Sequence, residues 1–171
     1  MSDDQAAALG YDNDATDYRA TAVGARNNAN GYKSSALGVQ NDAYGDCSTS
    51  VGYDNTAFGY GSTAVGYNNY TQNGYSTAVG YRNEIYDYYG SAFGMHNYVN
   101  GNSATAVGYN NVATGYCSTA IGCEAEARKD YTVAIGGTIV VAGDNGYANA
   151  LLHYSGVQNV LFSEDYDLTA A

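Results

Sequence analysis

A small residue, an apolar residue and then glycine recur ten times in this chain at an unbroken spacing of fourteen residues. The first triplet is Ala8-Leu9-Gly10, the last is Ala134-Ile135-Gly136, and every triplet between them keeps the spacing. A fixed short period indicates one small structural unit stacked on copies of itself, because each copy buries its face against its neighbours. The spacing therefore predicts an architecture that extends in one dimension over residues 1–136.

The composition supports an elongated repeat structure rather than an ordinary globule. The 171 residues include no Pro, no Trp and only 3 Phe, against 22 Gly and 20 Tyr, so large side chains for a bulky core are scarce. A bias toward Gly, Tyr and Asn is also typical of disordered low-complexity segments, but such segments do not hold a residue-by-residue register. The net charge of −11, with only 6 Lys and Arg, disfavours nucleic acid and anionic membranes as partners.

Side-chain alternation predicts two short β-strands in each repeat. In the segment 62–66, Ser, Ala and Gly fall on one face of a strand, and Thr and Val fall on the other. A second strand is expected about seven residues later, around Ala15, Ala29, Ala43, Ala57, Thr71, Ile85, Val99, Ala113, Ala127 and Val141. The two small-residue faces can meet in a narrow interior that admits only small side chains. We therefore predict an all-β fold, a thin β-roll solenoid of fourteen-residue coils.

The apolar residue of each triplet points away from that interior. We call this set the apolar column; its members are Leu9, Val23, Leu37, Val51, Val65, Val79, Phe93, Val107, Ile121 and Ile135. Stacked coils at about 4.8 Å would make it an unbroken stripe roughly 48 Å long. Monomeric proteins rarely expose such a stripe. We therefore expect the apolar column to be buried against further copies of the same chain.

Two polar or aromatic ladders accompany the strands. The first, the asparagine ladder, follows the first strand of each coil and consists of Asn13, Asn27, Asn41, Asn55, Asn69, Asn83, Asn97 and Asn111. We interpret it as structural, because Asn tolerates a left-handed backbone and its amide can bond the Asn of the next coil. Tyrosines occupy both corners of the roll, where they either shield backbone or form a platform for sugar rings or apolar groups of a receptor.

One stretch is denser in tyrosine than the rest, and we predict receptor binding there. Its candidate residues are Tyr70, Tyr81, Tyr86, Tyr88, Tyr89 and Tyr98. In the same stretch Thr71, Ile85 and Val99 replace the regular Ala of the second strand. A local departure from a repeat is a place where function tends to override regularity.

Catalytic chemistry has no signature in the sequence. His96 and His153 have no acid or ligand partner at a useful spacing, and no nucleotide loop or nucleophile motif is present. We predict no enzymatic activity, no cofactor, no metal site and no membrane insertion. After Gly136 the period breaks, a turn is expected at 143–146 and an acidic stretch at 163–167. Residues 137–171 are therefore predicted to cap the solenoid or to dock onto another protein.

The segment 103–122, SATAVGYNNVATGYCSTAIG, resembles the YadA-like head repeat of trimeric autotransporter adhesins. The resemblance covers residues 6 to about 136, with a small residue, an apolar residue, Gly and a second Ala at the same spacing. It implies a left-handed parallel β-roll and a homotrimer with the apolar column at its interface. The full adhesins also carry a signal peptide, a heptad stalk and a membrane anchor; we recognise none of these patterns in the sequence and therefore do not expect autotransport.

Three classes of function fit these observations. The first is a phage virion fibre, a tail fibre or head decoration, folded in the host cytoplasm, bound to another virion protein and attaching to a host-surface glycan or protein. The second is the head of a bacterial surface adhesin within a longer chain. The third is a self-assembling or ice-binding solenoid, suggested by the column Thr21, Thr49, Thr63, Thr77, Thr105 and Thr119. The sequence favours the first.

Overall fold

The computed structural model describes residues 5–137, 140–141 and 149–151, and it forms two parallel sheets of strands numbered β1 to β21. The first sheet contains Ala7–Tyr11 (β1), Thr21–Ala25 (β3), Ser35–Val39 (β5), Thr49–Tyr53 (β7), Thr63–Tyr67 (β9), Thr77–Tyr81 (β11), Ser91–Met95 (β13), Thr105–Tyr109 (β15), Thr119–Cys123 (β17), Val133–Gly137 (β19) and Asn149–Leu151 (β21). The second contains Asp14–Ala15 (β2), Asn28–Ala29 (β4), Asp42–Ala43 (β6), Thr56–Ala57 (β8), Tyr70–Thr71 (β10), Glu84–Ile85 (β12), Tyr98–Val99 (β14), Val112–Ala113 (β16), Glu126–Ala127 (β18) and Val140–Val141 (β20). The predicted all-β solenoid with two parallel strands per coil is confirmed.

Register follows the sequence period. From β1 to β19 each strand of the first sheet pairs with the strand fourteen residues later, as in Val65 opposite Val79. The second sheet keeps this step to its last described strand, where Glu126 lies opposite Val140. Strand β21 pairs with β19 at a step of sixteen residues, since Val133 lies opposite Asn149. The turn expected at 143–146 and the acidic stretch at 163–167 lie outside the described residues, and the division at residue 136 stays a prediction.

The interior is narrow and filled by small side chains, as expected. In a typical coil, Ala64 of the first sheet, Ala57 of the second sheet and Ser62 of the corner between them are all fully buried. Close packing leaves little room between the two sheets, so each inward position accepts only a side chain of matching volume.

The departures at Thr71, Ile85 and Val99 have their cause in this interior. All three side chains are fully buried between the sheets, where they do not contact a receptor. A Cβ added at Gly90 would lie 2.5 Å from Cγ2 of Ile85 and 3.1 Å from Cγ1 of Val99. Other coils place Ser, Ala or Thr at the position of Gly90. Ile85 and Val99 therefore occupy volume that Gly90 leaves free, and packing explains the irregularity at these two positions.

Both corners of the coil turn through a residue with left-handed backbone. At the corner after the first strand this residue is the one before each ladder Asn, for example Asn68 with φ of 51° or Arg82 with φ of 52°. Its N–H donates to the preceding coil, as Arg82 N does to the carbonyl oxygen of Tyr67 at 2.9 Å. The left-handed backbone expected at the ladder Asn therefore lies one residue earlier in the chain, and the prediction is wrong by one residue. The Asn has a different task, described below.

Candidate assembly and attachment surfaces

The apolar column lies along the outer face of the first sheet. Leu9, Leu37 and Phe93 are 69%, 37% and 41% exposed in the single chain, and the other seven members are half-buried. The register stacks them directly above one another, as in Val65, Val79 and Phe93 on three successive strands. The surface is therefore a continuous apolar stripe along the sheet, which is typical of a protein–protein interaction site.

Glycine and asparagine together close the corner beside that stripe. Gly66 has φ of 122°, and a Cβ there would lie 2.1 Å from the carbonyl oxygen of Gly80, so only glycine fits. The side-chain amide of Asn69 donates to Asn55 Oδ1 at 2.9 Å, to the Val65 carbonyl at 3.1 Å and to the Gly80 carbonyl at 2.8 Å. Each buried Asn therefore bonds the coil before it and the coil after it.

The bond between neighbouring Asn side chains repeats along the whole ladder. The Nδ2-to-Oδ1 distance is 2.9–3.0 Å at every step from Asn13 to Asn111. Asn13 is partly exposed, and the remaining members are fully buried. At the position after Asn111 the ladder ends in Ala125, whose N–H still donates to Asn111 Oδ1 at 3.0 Å. Amides that are both donor and acceptor in a buried row stabilise the stacking of coils.

A stack of tyrosines lines the same corner on its outer side. Tyr53 and Tyr67 stack with ring centroids 5.2 Å apart, and Tyr67 and Tyr81 stack at 5.0 Å. Arg82 lies over the Tyr81 ring at 5.2 Å, and His96 meets that ring edge-on at 5.3 Å. Tyr81 is therefore part of a structural stack, apart from the other candidate receptor residues.

Tyr70, Tyr86 and Tyr98 form an aromatic cluster on the outer face of the second sheet. The Tyr86 ring lies 5.6 Å from that of Tyr70 and 5.5 Å from that of Tyr98. The phenol of Tyr86 donates to Glu84 Oε2 at 3.0 Å. Burial, followed by the hydrogen bond and charge of Glu84, raises the pKa of Tyr86 to about 12. The three side chains of this cluster are half-buried.

The opposite corner holds a second group of tyrosines. Tyr75 and Tyr89 stack in parallel at 5.3 Å, Tyr88 lies 6.5 Å from Tyr89, and Tyr60 packs at a tilt against Tyr75 at 5.3 Å. Repulsion from the ionised forms of Cys47 and Tyr75 raises the pKa of Tyr60 above its usual value. These rings are about half exposed, so this corner offers more accessible aromatic surface than the cluster around Tyr86.

The six candidate receptor residues thus fall into three groups. Tyr70, Tyr86 and Tyr98 share the second sheet, Tyr88 and Tyr89 share the corner after it, and Tyr81 lies at the corner after the first sheet. Three further exposed aromatic residues lie beside the second group and are absent from the six candidates: Phe58, Tyr60 and Tyr75. One sequence feature marks this place: Gly74 interrupts a column that holds Tyr in the coil before it and in the coil after it.

The described residues hold no other chemical centre. Within residues 5–137 the ring of His96 lies between Tyr81 and Tyr109, and no group of three or more His, Cys, Asp or Glu side chains in the described part of the chain is arranged to hold a metal ion. The described part also contains no helix with the length and apolar character needed to cross a membrane. His153 lies outside the described residues.

Comparison with known families gives a match along most of the repeat region. The model of the YadA head domain repeat, which spans two copies of the repeat, matches residues 4–27, 29–55, 43–69, 57–83, 100–122 and 118–137. Comparison with curated proteins finds none that matches this chain. The resemblance drawn from segment 103–122 is therefore confirmed. This repeat and a β-solenoid are typical of surface-exposed structural adhesins rather than of enzymes.

Proposed function

Because the chain belongs to the YadA head domain repeat family, we propose that it is a homotrimeric attachment protein displayed on a surface. The observation that carries this proposal is the apolar column, which runs unbroken along the first sheet and is half-exposed or exposed in the single chain. Three copies that face one another through this sheet would remove all three stripes from water. The second sheet and both corners would stay accessible for recognition.

The mass of the protein in solution tests the trimer. We expect three times the chain mass at micromolar concentration by light scattering. Replacing Val65 and Val79 together by Asp should dissociate or unfold the assembly, because each change places an unpaired charge in an apolar seam at a cost of several kcal/mol.

Val112→Asp is the matched control for this experiment. Val112 is half-buried on the outer face of the second sheet, so the same change of side chain there should leave the trimer intact. A wild-type monomer would overturn the proposed assembly. If Val112→Asp disrupts the trimer as strongly as the double variant does, the interface would involve the second sheet instead.

We assign attachment to the accessible tyrosines of the second sheet and of the corner after it. Tyr86→Ala combined with Tyr88→Ala should weaken binding to the target surface and leave thermal unfolding within a few degrees of wild type. Tyr32→Ala is the control, since Tyr32 is an exposed corner tyrosine outside the dense stretch. Equal loss of binding in both variants would show that no local site exists, and a collapsed melting temperature in the double variant would make Tyr86 and Tyr88 structural.

The proposed attachment protein could be displayed on either of two surfaces, a phage virion or a bacterial cell. A phage fibre should purify with virions and be labelled on them by antibody in electron micrographs. A bacterial adhesin should be labelled on the cell surface. Virion labelling supports the first form, and cell labelling without virions supports the second.

A further inference from the structure

Three neighbouring residues interrupt the repeat at the corner after the second sheet. Gly74 stands where the coils before and after it carry Tyr60 and Tyr88. Asn73 stands where the coil before it carries Gly59, and Gly61 stands in the column that later carries Tyr75 and Tyr89. The backbone stays regular, because the carbonyl oxygen of Gly74 accepts from Tyr89 N at 3.1 Å in the same ladder as the other coils. Gly61 and Gly74 therefore lack the side chains of their columns, whereas Asn73 carries a side chain that Gly59 lacks and donates its amide to the Tyr86 carbonyl at 2.8 Å.

The missing side chains leave a groove of about 440 Å³, lined by Phe58, Tyr60, Gln72, Asn73, Gly74, Tyr75 and Tyr88 together with Gly59. This volume lies in the range of roughly 300–1,000 Å³ that small-molecule sites occupy. The Tyr75 ring leans over Gly61, where an added Cβ would lie 3.4 Å from Tyr75 Cδ1. Tyr75 and Gly74 both line the groove.

The spacing of the coils makes the groove suitable for one ring. Tyr60 and Tyr88 are two coils apart, which is about 9.6 Å at the usual strand spacing. Carbon–carbon contact takes about 3.5–4.0 Å on each side, so the main-chain spacing leaves room for one ring-sized group between these two positions. A tyrosine at position 74 would place a side chain in this corner, with its Cβ 3.1 Å from the Tyr60 carbonyl oxygen.

The lining specifies the chemistry of that ring. Tyr60, Tyr75, Tyr88 and Phe58 supply aromatic surface, and each of them is about half exposed. The side-chain amide of Gln72 is exposed and has no hydrogen-bond partner within the described part of the chain. The lining residues carry no charged side chain, and the net charge of −11 disfavours an anionic ligand. Aromatic walls with a few hydrogen-bonding groups suit a ring that has apolar faces and polar edges.

We propose that this groove binds an uncharged pyranose ring, such as a hexose of a surface glycan, with its apolar C–H face against the tyrosines and its hydroxyls toward Gln72. The inference rests on the proposed attachment function and names the class of target for one part of the attachment surface. The ring would enter from solvent at the corner, away from the apolar column on the first sheet.

Saturation-transfer difference NMR on the full chain tests the proposal, with the methyl glycosides of glucose, galactose, mannose and N-acetylglucosamine as probes. We expect signal transfer to at least one of the four and none to sialic acid, which is anionic. Gly74→Tyr restores the residue of the neighbouring coils and should reduce the transferred signal at least tenfold. Asn102→Tyr is the matched control, because Asn102 lies in the same column two coils later, and it should change the signal less than twofold.

Gln72→Ala provides a second variant that does not fill the groove. Gln72 is exposed, so the variant should fold as wild type and should weaken binding several-fold through the lost amide. Absence of transfer to all four neutral glycosides in the wild type overturns the proposal, as does equal loss in Gly74→Tyr and Asn102→Tyr. The mass of the same samples separates the two claims. A trimer without glycoside binding refutes the groove alone, and a monomer refutes the proposed assembly.

Discussion

Ile85 and Gly90 share one volume of the interior, which predicts that two destabilising substitutions compensate each other. A Cβ at Gly90 would approach Ile85 Cγ2 to 2.5 Å, so Gly90→Ala alone overpacks the interior at a cost of about 1–3 kcal/mol. Ile85→Ala alone leaves a cavity in a fully buried position, at a cost of about 2–5 kcal/mol. Together the two changes give the Ala–Ala pair that the first coil has at Ala15 and Ala20, and they remove the 2.5 Å approach while the 3.1 Å approach to Val99 Cγ1 remains.

The expected signature is a coupling free energy. The double variant should be less destabilised than the sum of the two single variants by about 1–3 kcal/mol, since residues in contact show coupling of this size. Equilibrium unfolding in urea, followed by circular dichroism at one fixed protein concentration, measures each free energy of unfolding. Gly90→Ala combined with Thr16→Ala is the control, because Thr16 is an exposed residue of the first coil. That pair should be additive within about 0.5 kcal/mol.

Additive behaviour of Ile85→Ala with Gly90→Ala would refute the packing argument. The glycine would then have a cause unrelated to the larger second-strand side chains. The irregular stretch would again need a functional explanation, as the sequence alone suggested.

Three further predictions concern the ladder, the corner glycine and one phenol. Asn69→Ala should lower the free energy of unfolding by about 3–6 kcal/mol, because five side-chain hydrogen bonds are lost and each buried group left unpaired costs about 1–3 kcal/mol. Asn13→Ala should lower it clearly less in the same urea assay, since water reaches Asn13. Gly66→Ala should reduce the native circular dichroism signal sharply, whereas Gly137→Ala, whose nearest neighbour would be 3.7 Å away, should leave it unchanged. The raised pKa of Tyr86 means that its neutral form stabilises the fold below its usual pKa near 10, and that this contribution is lost as pH rises from 10 through about 12. Tyr86→Phe should therefore lose less stability than wild type over that pH interval, and equal losses in urea unfolding would contradict the assignment.

Much of the fold follows from the sequence because a solenoid makes contacts at one repeated separation. A fourteen-residue period predicts that Val65 lies opposite Val79, and the small residues Ala57, Ser62 and Ala64 predict an interior too narrow for larger side chains. The outward direction of the apolar column follows from simple alternation along each strand. These properties depend on spacing and on one residue at a time, so the printed sequence contains them.

The tertiary structure decided what depends on two or more side chains sharing space. From the sequence, Ile85 is interpreted as a functional irregularity, but the structure places it against Gly90 in the interior. Tyr81 is close to Tyr86 in sequence, but it stacks on Tyr67 at a different corner of the coil. The groove at Gly74 arises from an absent ring between rings on the coils before and after it. These contacts depend on the volumes of the side chains and on the directions in which they point. A repeat pattern records which residue type stands in each column, but only the folded coil determines how the side chains of different columns meet.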